Sequence, residues 1–149
     1  MQDCVIFDID GTLANSSHRA HLQPGPFAEL DGSEPWTTYL NACGDDSVYA
    51  EIAALARCLA TQYPIIICTC RSENQRTVTA AWLSEHKIPY STMMMSRPGD
   101  LRPDPEIKEE MLDEIRMVFN PLFSVEDRLS NARMYRRNGV RCLHVIDGD

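Results

Sequence analysis

The sequence predicts an α/β fold built on a doubly wound, parallel, five-stranded sheet. Apolar runs rich in β-branched residues alternate with segments of helical spacing along the chain, as expected for strands joined by helices. The length of 149 residues corresponds to one ordinary domain, residues 1–149. Hydrophobic residues make up 44% of the chain and charged residues 24%. This composition is typical of a globular domain with a buried core.

Five apolar runs are predicted as the strands of this sheet. Four are strong, at residues 4–7, 65–70, 123–126 and 140–145, and a weaker one lies at residues 90–94. Continuous apolar runs of this length are typical of strands that helices cover on both faces. The pattern therefore favours a parallel sheet over an antiparallel one.

Four helices are predicted between the strands. Each begins at a residue suited to the first turn of a helix and ends near a helix-breaking residue. The predicted helices run from Asp46 or Ser47 to Pro64, from Ser72 to about residue 86, from Asp104-Pro105 to about residue 119, and from residue 129 or 130 to Gly139.

The connection at residues 14–46 interrupts this alternation, and we call it the insertion. No strand is predicted within it, and it far exceeds the roughly 2–6 residues usual between a strand and a helix. One short helix, residues 36–43, is predicted inside it and would present Trp36 and Tyr39. We expect the insertion to form a small lid over a site; the alternative is a passive surface excursion.

The charge balance bears on possible partners. The net charge is −8, which argues against a protein that holds nucleic acid by a general basic field. Residues 128–145 nevertheless carry five arginines and no acid. This stretch could steer a phosphate-rich substrate, and the alternative is a solvated helix face.

The cysteines and the termini bear on location. The six cysteines include no Cys-x-x-Cys pair, so neither a zinc site nor a thioredoxin-like site is indicated, and we expect reduced thiols. The start of the chain lacks a basic signal-peptide region, and no apolar run approaches the roughly 20 residues of a membrane span. We expect a soluble, cytoplasmic protein with no membrane partner.

Polar residues suited to phosphoryl chemistry gather at the predicted carboxyl ends of the strands. Parallel sheets bind ligands at this edge, near a switch in strand order. The residues are Asp8, Asp10 and Thr12 after the first strand, Thr69, Cys70 and Arg71 at the second, Lys108 on a helix, and Glu126, Asp127 and Arg128 at the fourth.

Each of these residues has an ordinary alternative, such as a turn, a strand end or a solvated helix position. However, carboxylates at the end of an apolar strand are costly unless a cation or a shared proton offsets them. Asp8 and Asp127 would supply the hard oxygen ligands that Mg²⁺ prefers. Thr69 and Lys108 are the hydroxyl and the cation that a transferring phosphoryl group needs. The combination therefore favours phosphoryl chemistry.

The set of motifs resembles the haloacid dehalogenase (HAD) superfamily of phosphatases. It comprises Asp8-x-Asp10-Gly-Thr, Thr69, Lys108 and Glu126-Asp127. A closer resemblance, to the 3′-phosphatase domain of phage polynucleotide kinase-phosphatase, spans nearly the whole chain. It is carried by Ser17-His18-Arg19, Thr69-Cys70-Arg71-Ser72, the segment from Arg102 to Glu110, and Glu126-Asp127-Arg128 leading to Arg136-Arg137-Asn138-Gly139-Val140.

The resemblance implies a HAD-like (Rossmann-like) fold and an Mg²⁺-dependent phosphomonoesterase. Asp8 would be the nucleophile that forms an aspartyl-phosphate, and Asp10 the general acid and base. The metal ligands would be the side chains of Asp8 and Asp127 and the backbone carbonyl of Asp10, with Glu126 in support. Thr69 would bind the phosphoryl group, and Lys108 would neutralise its charge.

The resemblance also implies a substrate-binding set. Arg19, Arg71 and Asp104 match further residues of the 3′-phosphatase domain, and arginine grips phosphate through a forked pair of hydrogen bonds. Cys70 stands where the superfamily often has glycine. The whole predicted substrate-binding set is Thr12, Arg19, Cys70, Arg71, Asp104 and Arg128.

Three functions follow as hypotheses. The first is a polynucleotide 3′-phosphatase that processes DNA or RNA ends in repair, and the second is a phosphatase of nucleotides or other small metabolites. The third is a catalytically silent binding module, which would be expected to have lost Asp8, Asp10 or Lys108. None of the three is lost, and no P-loop kinase motif occurs in the chain.

Overall fold

The structure is a computed structural model that describes residues 1–25 and 34–146. Residues 26–33 of the insertion, and residues 147–149 of the predicted domain, lie outside the described residues. In chain order the strands are β1 (Gln2–Phe7), β2 (Ala14–Asn15), β3 (Ser47–Val48), β4 (Ile65–Ser72), β5 (Thr92–Ser96), β6 (Phe119–Glu126) and β7 (Arg141–His144).

Five α-helices accompany these strands in the described part of the chain. They are α1 (Glu34–Asn41), α2 (Ala50–Leu59), α3 (Arg76–Glu85), α4 (Asp104–Arg116) and α5 (Leu129–Arg137). Within the insertion, 3₁₀ turns at Ser17–Leu22 and Ala42–Asp45 flank α1. The helix predicted at residues 36–43 is therefore α1 shifted by two residues and continued by a 3₁₀ turn.

The central sheet has five parallel strands in the order β5-β4-β1-β6-β7. From β1 the chain proceeds to β4 and β5 on one side, and then to β6 and β7 on the other. This confirms the predicted doubly wound sheet and places its switch point at the carboxyl end of β1, directly before Asp8.

Helices cover both faces of the sheet. Along β1, Val5 and Phe7 pack into a core shared with α2 and α3, whereas Cys4 and Ile6 pack into a second core shared with α4 and α5. Each fully buried aliphatic or aromatic side chain contributes roughly 1.5–3 kcal/mol through removal from water. Both cores thus anchor the strand that carries Asp8.

The start of the first predicted helix was wrong. Asp46 and Ser47 do not cap it: α2 begins at Ala50, and β3 pairs antiparallel with β2, with Ala14 opposite Val48. The prediction of no strand within the insertion was therefore also wrong, at Ala14–Asn15. Tertiary contacts explain both differences. Val48 packs against a core cluster, and the amide of Tyr49 donates to the Leu13 carbonyl at 2.8 Å.

The fourth predicted strand is longer than expected. β6 begins at Phe119, and its pairing with β1 continues across Pro121 by means of a register shift between Cys4 and Val5. Proline has no N–H to donate to a sheet ladder, and a bulge of this kind accommodates it. The predicted strand, residues 123–126, begins only after this proline.

Two further predictions concern the cysteines and membranes. All six cysteines are free, as predicted. Among the described residues, no helix has both the length and the apolar character needed to cross a bilayer.

Candidate active site

A cavity of about 290 Å³ opens at the carboxyl ends of β1, β4 and β6. Ten predicted site residues line it: Asp8, Asp10, Arg19, Thr69, Cys70, Arg71, Asp104, Lys108, Asp127 and Arg128. The insertion contributes Ser16, Tyr39, Leu40 and Cys43 to the wall. The other two predicted residues, Thr12 and Glu126, are buried and bind lining residues.

Asp8 is held at the base of the cavity from two sides. One carboxylate oxygen, Oδ1, accepts a hydrogen bond from Lys108 Nζ at 2.7 Å. The other oxygen, Oδ2, accepts one from Thr12 Oγ1 at 3.1 Å. Since β1 ends at Phe7, the strand fixes the backbone that carries this carboxylate.

Lys108 is a buried cation reached from α4, and it also donates to Glu126. Burial alone would lower the pKa of Lys108, but Asp8 and Glu126 raise it well above its usual value. The ammonium group therefore stays charged at physiological pH. It offsets one of the negative charges at the end of the sheet.

An acidic cluster of Asp8, Glu126 and Asp127 has one ligand oxygen from each residue within 4.8 Å of the others. Burial and the nearby Asp8 raise the pKa of Glu126 to about 7 and that of Asp127 to about 6. Three carboxylates face a single ammonium group, so the cluster lacks positive charge. Oxygen donors with this charge deficit fit a divalent cation such as Mg²⁺.

Gly11 allows this cluster to close. Its φ is +80°, and a Cβ atom at this position would lie 2.1 Å from Asp127 Oδ2. A glycine is therefore required for the turn after β1 to pass beside the carboxylate of Asp127. The Asp-Gly-Thr turn thus has a steric requirement for its glycine.

Two buried arginines hold Asp10. Arg71 donates to both of its carboxylate oxygens, from Nε at 3.0 Å and from Nη2 at 2.8 Å, and Arg19 Nη2 donates to Oδ1 at 3.0 Å. Burial would raise the pKa of Asp10, but Arg71 and Arg19 outweigh it, and the pKa falls below its ordinary value. The side chain of Asp10 remains 39% exposed towards the cavity.

Asp46 completes this arginine cluster, a role that its predicted position as a helix cap did not indicate. Its buried carboxylate accepts hydrogen bonds from Arg19 Nε at 2.8 Å and from Arg71 Nη2 at 3.1 Å. A signal was available, because buried arginines need acidic partners and Asp10 alone cannot neutralise two of them. Sequence spacing did not indicate which of the chain's many acids would serve.

Asn131 was also missed. It lies on the first turn of α5, lines the cavity and donates from Nδ2 to Glu126 Oε2 at 3.3 Å. Its side chain therefore helps to orient the acid that supports Lys108. Its place on the first turn of the helix that directly follows Glu126-Asp127 was the available signal.

Thr69 and Cys70 lie near the end of β4. Thr69 Oγ1 accepts a hydrogen bond from the Arg71 amide at 3.2 Å, and Thr69 lines the cavity. Burial raises the pKa of the Cys70 thiol well above its usual range. Since the thiolate is the reactive form of cysteine, Cys70 is not an activated nucleophile.

Asp104 and Arg128 face each other at the mouth of the cavity, with Arg128 Nη1 at 3.1 Å from Asp104 Oδ2. Five arginines lie between residues 128 and 145, all in the described part of the chain, and Arg128 is the one that lines the cavity. Arg137 instead pairs with Glu109 at 3.7 Å, and Arg136 donates to the Cys142 carbonyl at 3.0 Å.

Comparison with known families accounts for this arrangement. A family model described as the polynucleotide kinase PNKP phosphatase domain matches residues 2–149. The chain belongs to the PNKP phosphatase domain family. The resemblance to the HAD superfamily is thereby confirmed, and the chain is a phosphatase of the HAD type.

Solved structures agree with membership of the PNKP phosphatase domain family. A chain of the Pnkp1/Rnl/Hen1 complex is 27% identical, with a TM-score of 0.80, and the match covers 100% of this chain. It covers 47% of that longer chain, so this protein spans about half of its length.

Two more distant structures share the fold. A haloacid dehalogenase-like family hydrolase from Streptococcus pneumoniae is 17% identical with a TM-score of 0.69, covering 99% of this chain and 86% of its own. A class C acid phosphatase from Bacillus anthracis, solved with tungstate bound, is 15% identical with a TM-score of 0.68, covering 87% and 53% respectively.

Proposed function

We propose that the chain is an Mg²⁺-dependent phosphomonoesterase in which Asp8 is the nucleophile. The observation that carries the proposal is the position of Asp8 at the base of the cavity, held between Lys108 and Thr12. A carboxylate fixed in this way is ready for in-line attack on a phosphoryl group, giving an aspartyl-phosphate that water then hydrolyses. Lys108 and the Thr69 hydroxyl stabilise charge on the transferring phosphoryl oxygens.

Asp10 is the proposed general acid and base. In the free enzyme its arginine partners favour the carboxylate form, which suits the activation of water. When a phosphate dianion enters the same cavity, its negative charge offsets Arg19 and Arg71 and favours the protonated form of Asp10. That proton can pass to the departing alcohol oxygen, after which the carboxylate deprotonates the attacking water.

The residues that would hold Mg²⁺ are the side chains of Asp8 and Asp127 and the backbone carbonyl of Asp10. Glu126 supports them through Lys108 and Asn131 rather than as a direct ligand. A bound Mg²⁺ supplies positive charge that neutralises phosphoryl oxygens and brings a dianionic substrate to an acidic site.

The proposed substrate is a nucleic-acid end that carries a 3′-phosphate, in DNA or RNA. Two findings support it: the family match, and the likeness along the whole chain to a protein of an RNA repair complex. The cavity, of about 290 Å³, is also larger than a phosphate group alone.

A second candidate function is the hydrolysis of nucleotides or other small phosphomonoesters. The net charge of −8 favours it, since a polyanionic strand is repelled by an acidic protein. Arg136 and Arg137 also favour it, because they bond to the Cys142 carbonyl and to Glu109 and do not line the cavity.

A substrate panel separates the two functions. We would compare kcat/KM for a 3′-phosphorylated oligodeoxynucleotide, a matching oligoribonucleotide, and free 3′- and 5′-mononucleotides, with Mg²⁺ or with EDTA. The 3′-phosphatase proposal expects the oligonucleotides to be the better substrates and EDTA to abolish turnover. Oligonucleotide turnover no better than mononucleotide turnover would reject the end-processing function, and undiminished turnover in EDTA would reject the Mg²⁺ requirement.

The nucleophile has its own test. Asp8→Asn should abolish turnover while preserving the circular dichroism spectrum, because the amide cannot attack phosphorus. Rapid quenching of the wild-type protein with substrate should yield a peptide containing Asp8 that carries one phosphoryl group. Turnover by pure Asp8→Asn protein, or a phosphoryl group on a different residue, would overturn the assignment.

A further inference from the structure

We propose that Asp46 is a positioning residue for departure of the leaving group: it holds Arg19 and Arg71, which in turn fix the carboxylate of Asp10. The inference rests on the proposed role of Asp10 as general acid. It does not depend on which alcohol leaves.

The contacts form a closed ring of charges. Arg19 grips Asp46 in a fork, from Nε to Oδ1 at 2.8 Å and from Nη2 to Oδ2 at 3.0 Å, and Arg71 Nη2 reaches Oδ2 at 3.1 Å. The same two Nη2 atoms also donate to Asp10 Oδ1. Each arginine is thus shared between the buried carboxylate of Asp46 and the carboxylate of Asp10, which faces the cavity.

The charges of this ring balance. Two guanidinium groups and two carboxylates sum to zero, and the side chains of Asp46, Arg19 and Arg71 are all buried. Without the charge of Asp46, two buried arginines would share Asp10 alone and one positive charge would be uncompensated. The arginines are then expected to move towards water or rotate about Asp10, because an unpaired buried charge is costly.

The backbone of Asp46 is anchored separately from its carboxylate. Trp82 Nε1 donates to the Asp46 carbonyl at 2.7 Å, and the Asp46 amide donates to the Cys43 carbonyl at 3.3 Å. An Asp46→Asn substitution keeps both contacts and the shape of the side chain. It replaces one acceptor oxygen by a donor that faces N–H groups, so it disturbs the contacts of the two arginines as well as the 2.7 Å contact between His18 Nε2 and Asp46 Oδ1.

The consequence is chemical. A general acid typically contributes about 100-fold or more to rate, and a misplacement of about 1 Å removes much of such a contribution. An alkoxide needs that proton to leave, whereas p-nitrophenolate is stable without it. Loss of Asp46 should therefore slow hydrolysis of alkyl phosphates far more than hydrolysis of p-nitrophenyl phosphate.

The test measures kcat/KM, which covers the steps up to leaving-group departure. The substrates are p-nitrophenyl phosphate and any alkyl phosphomonoester that the wild-type enzyme hydrolyses. For Asp46→Asn we expect a fall of about 30- to 100-fold with the alkyl ester, and of no more than about 3-fold with p-nitrophenyl phosphate. Asp45→Asn is the matched control, because it makes the same charge change at the neighbouring exposed position and should leave both values unchanged.

For each variant, the ratio of kcat/KM for the alkyl ester to kcat/KM for p-nitrophenyl phosphate does not depend on the folded fraction of the preparation. A purely structural role would lower kcat/KM equally for both substrates and leave this ratio unchanged, and that result would overturn the proposal. If Asp46→Asn fails to fold, Asp46→Glu, which displaces the charge by one methylene, is judged by the same ratio.

Asp10→Asn separates this inference from the proposed function. It should change the ratio at least as strongly as Asp46→Asn. An unchanged ratio for Asp10→Asn would refute the general-acid role itself. A change for Asp10→Asn with none for Asp46→Asn would refute the positioning role alone.

Discussion

Replacing Lys108 with methionine tests the charge balance at the base of the cavity. Methionine keeps most of the aliphatic stem of lysine, so the change removes the ammonium group with little loss of packing. Lys108 donates to Asp8 at 2.7 Å and also to Glu126, and its side chain is only 2% exposed. Removing one partner of a buried ion pair typically costs about 3–5 kcal/mol, because the remaining charge is left unpaired.

That free energy corresponds to a fall in Tm of roughly 6–20 °C for a protein of this size. We would measure urea unfolding by circular dichroism in EDTA at pH 8. The control is Lys87→Met, at the only other lysine in the sequence, which is exposed and should change stability by no more than about 0.5 kcal/mol. A loss for Lys108→Met within about 1 kcal/mol of the control would refute the inference that Lys108 compensates buried carboxylates.

Three further predictions follow from the same site. In EDTA, the free energy of unfolding should fall as the pH rises from about 4 to about 7. In the folded protein the pKa of Glu126 is raised to about 7 and that of Asp127 to about 6. The fold therefore favours their protonated forms, and it loses stability as these protons are released. Added Mg²⁺ should remove that fall in Tm scans, and a Tm that rises with pH in EDTA would contradict the assignment. Gly11→Ala should abolish turnover, since its Cβ would lie 2.1 Å from Asp127 Oδ2. Gly99→Ala shares the positive φ but has nothing within 4 Å of its Cβ, so equal activity losses in the two variants would show that backbone strain, not the clash, is responsible. Arg128→Ala should raise KM for a phosphorylated oligonucleotide by no more than about 5-fold, as expected for one largely exposed charge contact worth up to about 1 kcal/mol. The equally exposed Arg137→Ala should leave KM unchanged, and a similar rise in both would indicate a general field effect.

The sheet was predictable because burial on both faces leaves a strong trace in the sequence. The runs predicted for β1 and β4 are continuous, apolar and bounded by polar residues. They therefore indicate buried strands without any knowledge of the tertiary contacts. The two-residue strands β2 and β3 leave no such trace, because their pairing depends on the core contact of Val48 and on a bond from Tyr49 to Leu13. Local capping propensity favoured a helix there, and tertiary contacts decided otherwise.

In the candidate site, too, local sequence indicates some residues, whereas only the fold reveals others. Asp8, Asp127 and Lys108 follow recognisable turns or caps, and the topology brings them to one edge of the sheet. Asp46 is far from them in sequence and belongs to a run of small and acidic residues that resembles an ordinary turn. Its importance arises only when the fold buries Arg19 and Arg71 beside it, which no local pattern reveals.

The ion-paired ring ties the two ends of the insertion to the sheet, since Arg19 lies near its beginning and Asp46 at its end. Substitutions elsewhere in the insertion, outside the residues that contact this ring, can therefore alter the wall of the cavity while Asp10 keeps its two arginine partners. Changes of substrate preference are therefore expected in this wall of the cavity rather than in the ring itself.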